Sequence, residues 1–216
     1  MLTYEGLRLK ILKIRRRALA NYRKKFLKNQ DFTIISNNCW GGMIYESYNL
    51  IKNSPTVGLY IMPEDYIKFI KNIKEYVKLE LEFISIDESN WKSFVKENDK
   101  KAGQYPIGKL KDIEIFFLHY HSEQEALEKW RRRCERINWN KIIYKFNDQN
   151  GCTEKNVKDF FDLDLENQVF FTVKDWNVDK KYIKIKQFNK INHIMSSYEP
   201  FGKNKYINLE EMINNL

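Results

Sequence analysis

Four short apolar runs in this chain each give way to residues capable of chemistry. Phe32–Ser36 leads into Asn37-Asn38-Cys39-Trp40-Gly41-Gly42, and Ile113–Leu118 into His119-Tyr120-His121. Ile142–Phe146 leads into Asn147-Asp148, and Val169–Val173 into Lys174-Asp175. A Gly-Gly turn that opens a helix offers unpaired backbone N–H groups and the positive end of the helix dipole to an anion. Asn37, Asn38, Trp40, Gly41 and Gly42 are therefore candidate phosphate or ligand contacts. A tight structural turn uses the same residues, and neither a G-x-G-x-x-G nor a G-K-[ST] run is present. Cys39, at the helix start, is a candidate nucleophile with His119 or His121 as base, against the commoner buried and inert thiol. His119 and Asp148 suit general acid–base work, and His121 suits a phosphate. Arg133 and Arg136 have no acidic neighbour at helical spacing, and they share a helix face. Two such guanidiniums suit a bidentate anion or a solvated basic face. Asp162-Leu163-Asp164 has the D-x-D spacing of cation-holding sugar transferases, but it follows a helix and is read as coincidence. No metal-ligating set is assigned.

The elements that must position these residues alternate. Strands are expected at Phe32–Ser36, Val57–Ile61, Leu81–Ile86, Ile113–Leu118, Ile142–Phe146 and Val169–Val173. Helices are expected at Gly42–Lys52, from Pro63 to about Tyr76, at Trp91–Asn98, at Ser122–Asn138 and at Glu154–Phe161, with a loop around Gly103, Pro106 and Gly108. Ser122-x-x-Glu125 reads as a capping box. This alternation predicts an α/β, Rossmann-like fold whose mainly parallel sheet carries helices on both faces. Ligands of such sheets sit beyond the carboxyl ends of the strands, where the candidate residues fall.

Charge divides the chain differently. The 216 residues hold 38 Lys+Arg against 29 Asp+Glu, a net +9. Residues 1–30 carry ten cations against Glu5 alone, so the whole excess lies there and the body is neutral. A broad phosphate-tracking groove is therefore not expected, and nucleic acid is the least favoured partner. Tyr4, Leu7, Ile11, Ile14, Ala18 and Tyr22 recur at helical steps with no Pro or Gly between Leu7 and Asp31, which predicts one long amphipathic helix. Its stripe can dock on the body, or it can lie on an anionic membrane surface or an acidic partner. The expected division is 1–30 as basic helix, 31–180 as α/β core and 181–216 as a C-terminal extension packed on the core. Three cysteines without close spacing and the lack of an apolar leader or span point to the cytoplasm, with peripheral attachment to the inner face of the plasma membrane open.

The stretches Ile34–Gly42, Ser54-Pro55-Thr56-Val57-Gly58-Leu59 and Tyr105-Pro106-Ile107-Gly108, with His119-Tyr120, Glu125-Ala126 and Lys129-Trp130-x-Arg132-Arg133, resemble a bacterial family of unknown function. Its members are commonly labelled exopolysaccharide biosynthesis proteins, and the resemblance covers about residues 5–180. It implies a place in surface-glycan synthesis and brings no catalytic residue with it. The leading expectation is a transferase using a nucleotide-activated sugar or related phosphorylated donor, with the diphosphate on residues 37–42 and Arg133 or Arg136. His119 or Asp148 would take the acceptor's proton. The cofactor is left open, a divalent cation included. The alternative is a non-catalytic binding or scaffold protein of the same pathway, which predicts no deep polar pocket at the strand ends.

Overall fold

Strand and helix alternate as the sequence suggests, but the strands sort into two sheets. The computed structural model describes residues 4–187, 191–195 and 199–216, with side chains from Gly6 onward. In chain order the elements are α1 (Tyr4–Ala18), α2 (Ala20–Lys24), β1 (Thr33–Ser36), α3 (Trp40–Ser47), β2 (Tyr60–Ile61), α4 (Pro63–Lys71), α5 (Ile73–Tyr76) and β3 (Glu82–Ile84). They continue with α6 (Lys92–Asn98), β4 (Ile107–Leu110), β5 (Ile113–Phe116), α7 (Glu123–Cys134), β6 (Ile142–Asn147), α8 (Glu154–Asp162), β7 (Gln168–Thr172), β8 (Ile183–Lys184) and α9 (Leu209–Asn214).

The fold is mixed α/β. A parallel four-stranded sheet has the order β1-β6-β7-β8, with Thr33 opposite Ile142 and Tyr144 opposite Gln168. β1, β6 and β7 are buried on both faces, as the continuous apolar runs require, while the edge strand β8 is partly exposed. Ile35, Phe146 and Phe170 face one core with Tyr66, Trp130 and Phe160 of α4, α7 and α8. Ile34, Ile143 and Phe171 face the other with Trp40 and Tyr45 of α3 and Ile213 of α9. The outer edge of β1 is closed by side chains: Ile34 N donates to Tyr45 Oη (3.0 Å) and Ser36 N to Thr56 Oγ1 (3.0 Å). An edge strand so capped presents no template to another chain.

The expectation of a mainly parallel sheet holds for these four strands alone. β2, β5, β4 and β3 form an antiparallel sheet in that order, and β4 lies in the stretch around Gly108 that reads as a loop. Only Lys111 and Asp112 separate Leu110 from its partner Ile113, and Lys111 has a φ of +56°. A two-residue connection makes a hairpin, whereas parallel strands need a long crossover. Glycine hid β4 by breaking the alternation, and the space explains it. A Cβ on Gly108 would meet Leu81 Cδ1 at 2.6 Å and Phe117 Cε2 at 2.8 Å. Gly108→Ala should lower stability by about 1–3 kcal/mol through overpacking, read as a lower denaturation midpoint; an unchanged midpoint would show that the sheet yields there.

The single long N-terminal helix is corrected to two. α1 ends at Ala18, and Leu19 (φ −100°, ψ 3°) precedes α2. Tight turns then follow, with Lys25 N bonded to Tyr22 O, Phe26 N to Arg23 O and Leu27 N to Lys24 O, and they deliver Leu27 to the core. Gly6, Arg8, Leu9, Leu12 and Arg16 are partly buried in α1, while Leu7, Ile11 and Ile14 are exposed. The side chain of Tyr4 lies outside the described residues. Among those residues, no helix is long and apolar enough to cross a membrane.

Candidate functional site

At the carboxyl ends of β1 and β6 a charged residue interrupts an apolar strand. Lys145 lies in Ile-Ile-Tyr-Lys-Phe-Asn with no exposed surface, and desolvation pushes its ammonium pKa down while Glu199 opposes that shift. An ammonium only donates, so it fixes the orientation of everything around it. Its Nζ donates to Glu199 Oε1 (2.6 Å), Asn38 Oδ1 (2.8 Å) and Asn37 Oδ1 (3.5 Å). The amide nitrogens must then turn elsewhere. Asn38 Nδ2 donates to Glu199 Oε1 and Gln149 Oε1, Asn37 Nδ2 to Asn147 Oδ1, and Asn147 Nδ2 to Glu199 Oε1. Glu199 Oε1 thus receives three hydrogen bonds, while Oε2 is buried without a partner among the described residues. An acceptor left unfilled inside a satisfied network costs desolvation energy and calls for a ligand donor.

A cavity of about 430 Å³ lies over this network. Asn38, Cys39, Trp40, Gln149 and Glu199 line one side of it, and His119 with the half-exposed rings of Tyr60 and Phe94 lines the other. Leu9 of α1 also contributes to the wall. A second cavity of about 250 Å³ shares Met43 and Glu199 with the first and is lined by Arg15, Arg16 and Arg23. Arg16 Nε is enclosed there without a hydrogen-bond partner among the described residues, and burial lowers the guanidinium's pKa despite nearby Glu46. Glu199 and Arg16 therefore line adjoining cavities, and each holds an enclosed polar atom without a partner among the described residues, which a ligand reaches only as the side chain turns into its cavity.

The predicted residues separate into three groups. Asn38, Cys39, Trp40 and His119 reach the first cavity, with Asn37 in the network behind them. Burial, with Glu199 nearby, pushes the Cys39 thiol up to about 12, and its Sγ donates to Leu59 O, so it is a protonated thiol and not an activated nucleophile. Partial burial, with Lys101 and Lys13, lowers the His119 pKa, leaving a neutral ring able to accept a proton at pH 7.

The second group is buried for structural reasons. Trp40 N and Gly41 N are already bonded to Asn38 Oδ1 and Ser36 Oγ. Ideal Cβ atoms on Gly41 and Gly42 would lie 3.1 Å from Ile34 Cγ2 and 3.0 Å from Val57 Cγ1, so the glycines allow close packing of α3. Asp148 accepts from Thr172 Oγ1 (2.7 Å), Val173 N (3.0 Å) and Ile194 N (2.7 Å), which latches the segment leading to Glu199. Arg133 is buried and donates to Val57 O (3.1 Å) and Tyr120 Oη.

The third group is exposed and does not line either cavity. Arg136 lies beyond the end of α7 and is exposed, whereas Arg133 is buried. His121 precedes that helix, where its backbone N–H donates to Glu125 Oε2 (2.8 Å); Glu125 reaches one residue further back than a standard capping box. Asp164 pairs with Lys180 (2.9 Å). Among the described residues no three His, Cys, Asp or Glu side chains group as a metal site.

Lys145, Gln149, Glu199 and the N-terminal arginines complete a site that motif reading missed. A lysine inside a strand otherwise apolar was a legible signal, since a buried cation needs a buried partner. Glu199 carried no local signal.

Comparison with known proteins agrees with the resemblance as far as a family of unknown function. The chain is 38% identical over 178 residues to an uncharacterised protein of Haemophilus influenzae, a span of 82% of this chain and 79% of the relative. Residues 10–216 match the family described as Domain of unknown function (DUF1919), and the chain belongs to that family.

Proposed function

We propose that the protein is a transferase that takes a phosphorylated saccharide, such as a nucleotide-activated sugar, in the paired cavities at the ends of β1 and β6. The observation that carries this reading is that Glu199 and Arg16, which line adjoining cavities, each keep a buried polar atom, Oε2 and Nε, without a partner among the described residues. A ligand matching both must donate hydroxyl hydrogens and bear an anion, which is the chemistry of a sugar phosphate. Tyr60 and Phe94 offer ring faces to the apolar side of a pyranose. His119 at the cavity wall would accept the proton of the attacking hydroxyl, and the carboxylate of Glu199 would orient a hydroxyl. The hydroxyl oxygen would bond to the anomeric carbon as the bond from that carbon to the phosphoryl oxygen breaks. The arginines, in place of residues 37–42, Arg133 and Arg136, would carry the charge of the departing phosphate or nucleoside diphosphate.

Assignment to surface-glycan synthesis rests on the sequence resemblance. A non-catalytic binding protein of the same pathway would use the same cavity without turning its ligand over, so release of the free nucleotide from a bound nucleotide sugar separates the two readings. Calorimetric titration with nucleotide sugars and sugar monophosphates, with and without Mg²⁺ or Mn²⁺, should give saturable binding with at least one. Failure of every compound under both conditions would refute the phosphorylated donor.

A further inference from the structure

Leu7, Ile11 and Ile14 follow one another by four and three residues along α1, so they form a single stripe. Their exposures of 49%, 48% and 59% show that the body does not cover it. Beyond the break at Leu19, itself exposed, α2 and the turns after it expose the edge-to-face pair Tyr22 and Phe26, whose ring centroids are 5.2 Å apart. Six large apolar side chains are thus exposed in a segment that carries the protein's whole net charge.

The cations sit beside this stripe. Lys10, Lys13, Lys25 and Lys28 are exposed, and none of them makes an ion pair among the described residues; Arg17 meets Glu46 at 2.7 Å. A surface that is both apolar and unneutralised needs an occupant that supplies hydrocarbon and negative charge together. A second copy of this chain would bring the same cations into opposition, and a neutral bilayer would leave them unanswered. We infer that α1 and α2 lie in the interface of an anionic lipid bilayer, with the stripe among the acyl chains and the lysines and arginines at the headgroups.

The arrangement also couples the surface to the site. On the other side of α1, Leu9 lines the larger cavity, and Leu12, Arg15 and Arg16 line the smaller. Bilayer docking would therefore hold the cavity walls close to lipid, where a lipid-bearing acceptor could reach them. The docking itself does not depend on the saccharide-phosphate reading.

Co-sedimentation of the full chain with phosphatidylcholine vesicles, with and without phosphatidylglycerol, tests this. Binding should require phosphatidylglycerol and fall as salt rises. Ile11→Asp/Ile14→Asp should weaken it at least about tenfold, with an unchanged denaturation midpoint because both sites are exposed. Lys10→Gln/Lys13→Gln should weaken it and flatten the salt dependence. The inference is overturned by absence of binding at low salt or by equal binding to both vesicle types. It is also overturned by aspartate variants that bind as the parent does, or by a solution dimer that those variants dissociate. Vesicle binding without saccharide binding would separate this inference from the proposed activity.

Discussion

Lys145→Met should cost about 3–5 kcal/mol of folding stability, the largest single loss expected in this protein. The substitution removes a cation with no exposed surface and leaves Glu199, also fully enclosed at its side chain, without its counter-charge. It also frees the carbonyl oxygens of Asn37 and Asn38 from the donor that orients them. Urea denaturation monitored through tryptophan fluorescence reads the loss. In the Lys145→Met background, Glu199→Gln should cost less than it does in the parent, because the uncompensated charge is then removed with it. Additive costs would show that the two groups do not act as a pair.

Glu199→Gln should weaken saccharide-phosphate binding by about 10- to 150-fold, corresponding to the roughly 1.5–3 kcal/mol of a hydrogen bond to a charged group. The size follows from which atom goes where. Lys145 Nζ, Asn38 Nδ2 and Asn147 Nδ2 all donate to Glu199 Oε1, so a glutamine must keep its oxygen there. Its NH₂ then takes the position of Oε2 and presents a donor where the ligand meets an acceptor. Because the charge is also lost to Lys145, titrations belong well below the variant's own denaturation midpoint. Unchanged affinity in the folded variant would remove Glu199 from the binding site.

Much of this arrangement was legible in residue order, and the limits have physical causes. Parallel-sheet strands declared themselves because burial on both faces leaves continuous apolar runs, as in Phe32–Ser36 and Ile142–Phe146. The turn after β1 delivered Asn38, Cys39 and Trp40 to the cavity, and the stretch after β5 of the antiparallel sheet delivered His119. The hairpin of β4 and β5 stayed hidden because Gly108 makes room for Leu81 and Phe117, so the strand lacks a side chain where the pattern needs one. Asp148 and Arg133 looked chemical because charge is visible in a sequence, whereas their saturation by Ile194 N, Thr172 Oγ1, Val57 O and Tyr120 Oη is not. Glu199 was out of reach because it meets Lys145 across 54 residues of chain, brought there by a segment that Asp148 latches. The N-terminal apolar periodicity was real, but periodicity cannot tell a stripe that faces the body from one that faces outward.

The account rests on one joint site spanning the Glu199 cavity and the arginine cavity. Soaking crystals of the full chain with a nucleotide sugar tests it most directly. The expected density places a sugar hydroxyl on Glu199 Oε2, the ring against Tyr60 or Phe94, and a phosphoryl group at Arg16 or Arg23. A ligand bound away from both cavities, or one whose phosphates lie on Gly41 and Gly42 with Glu199 uncontacted, would contradict it.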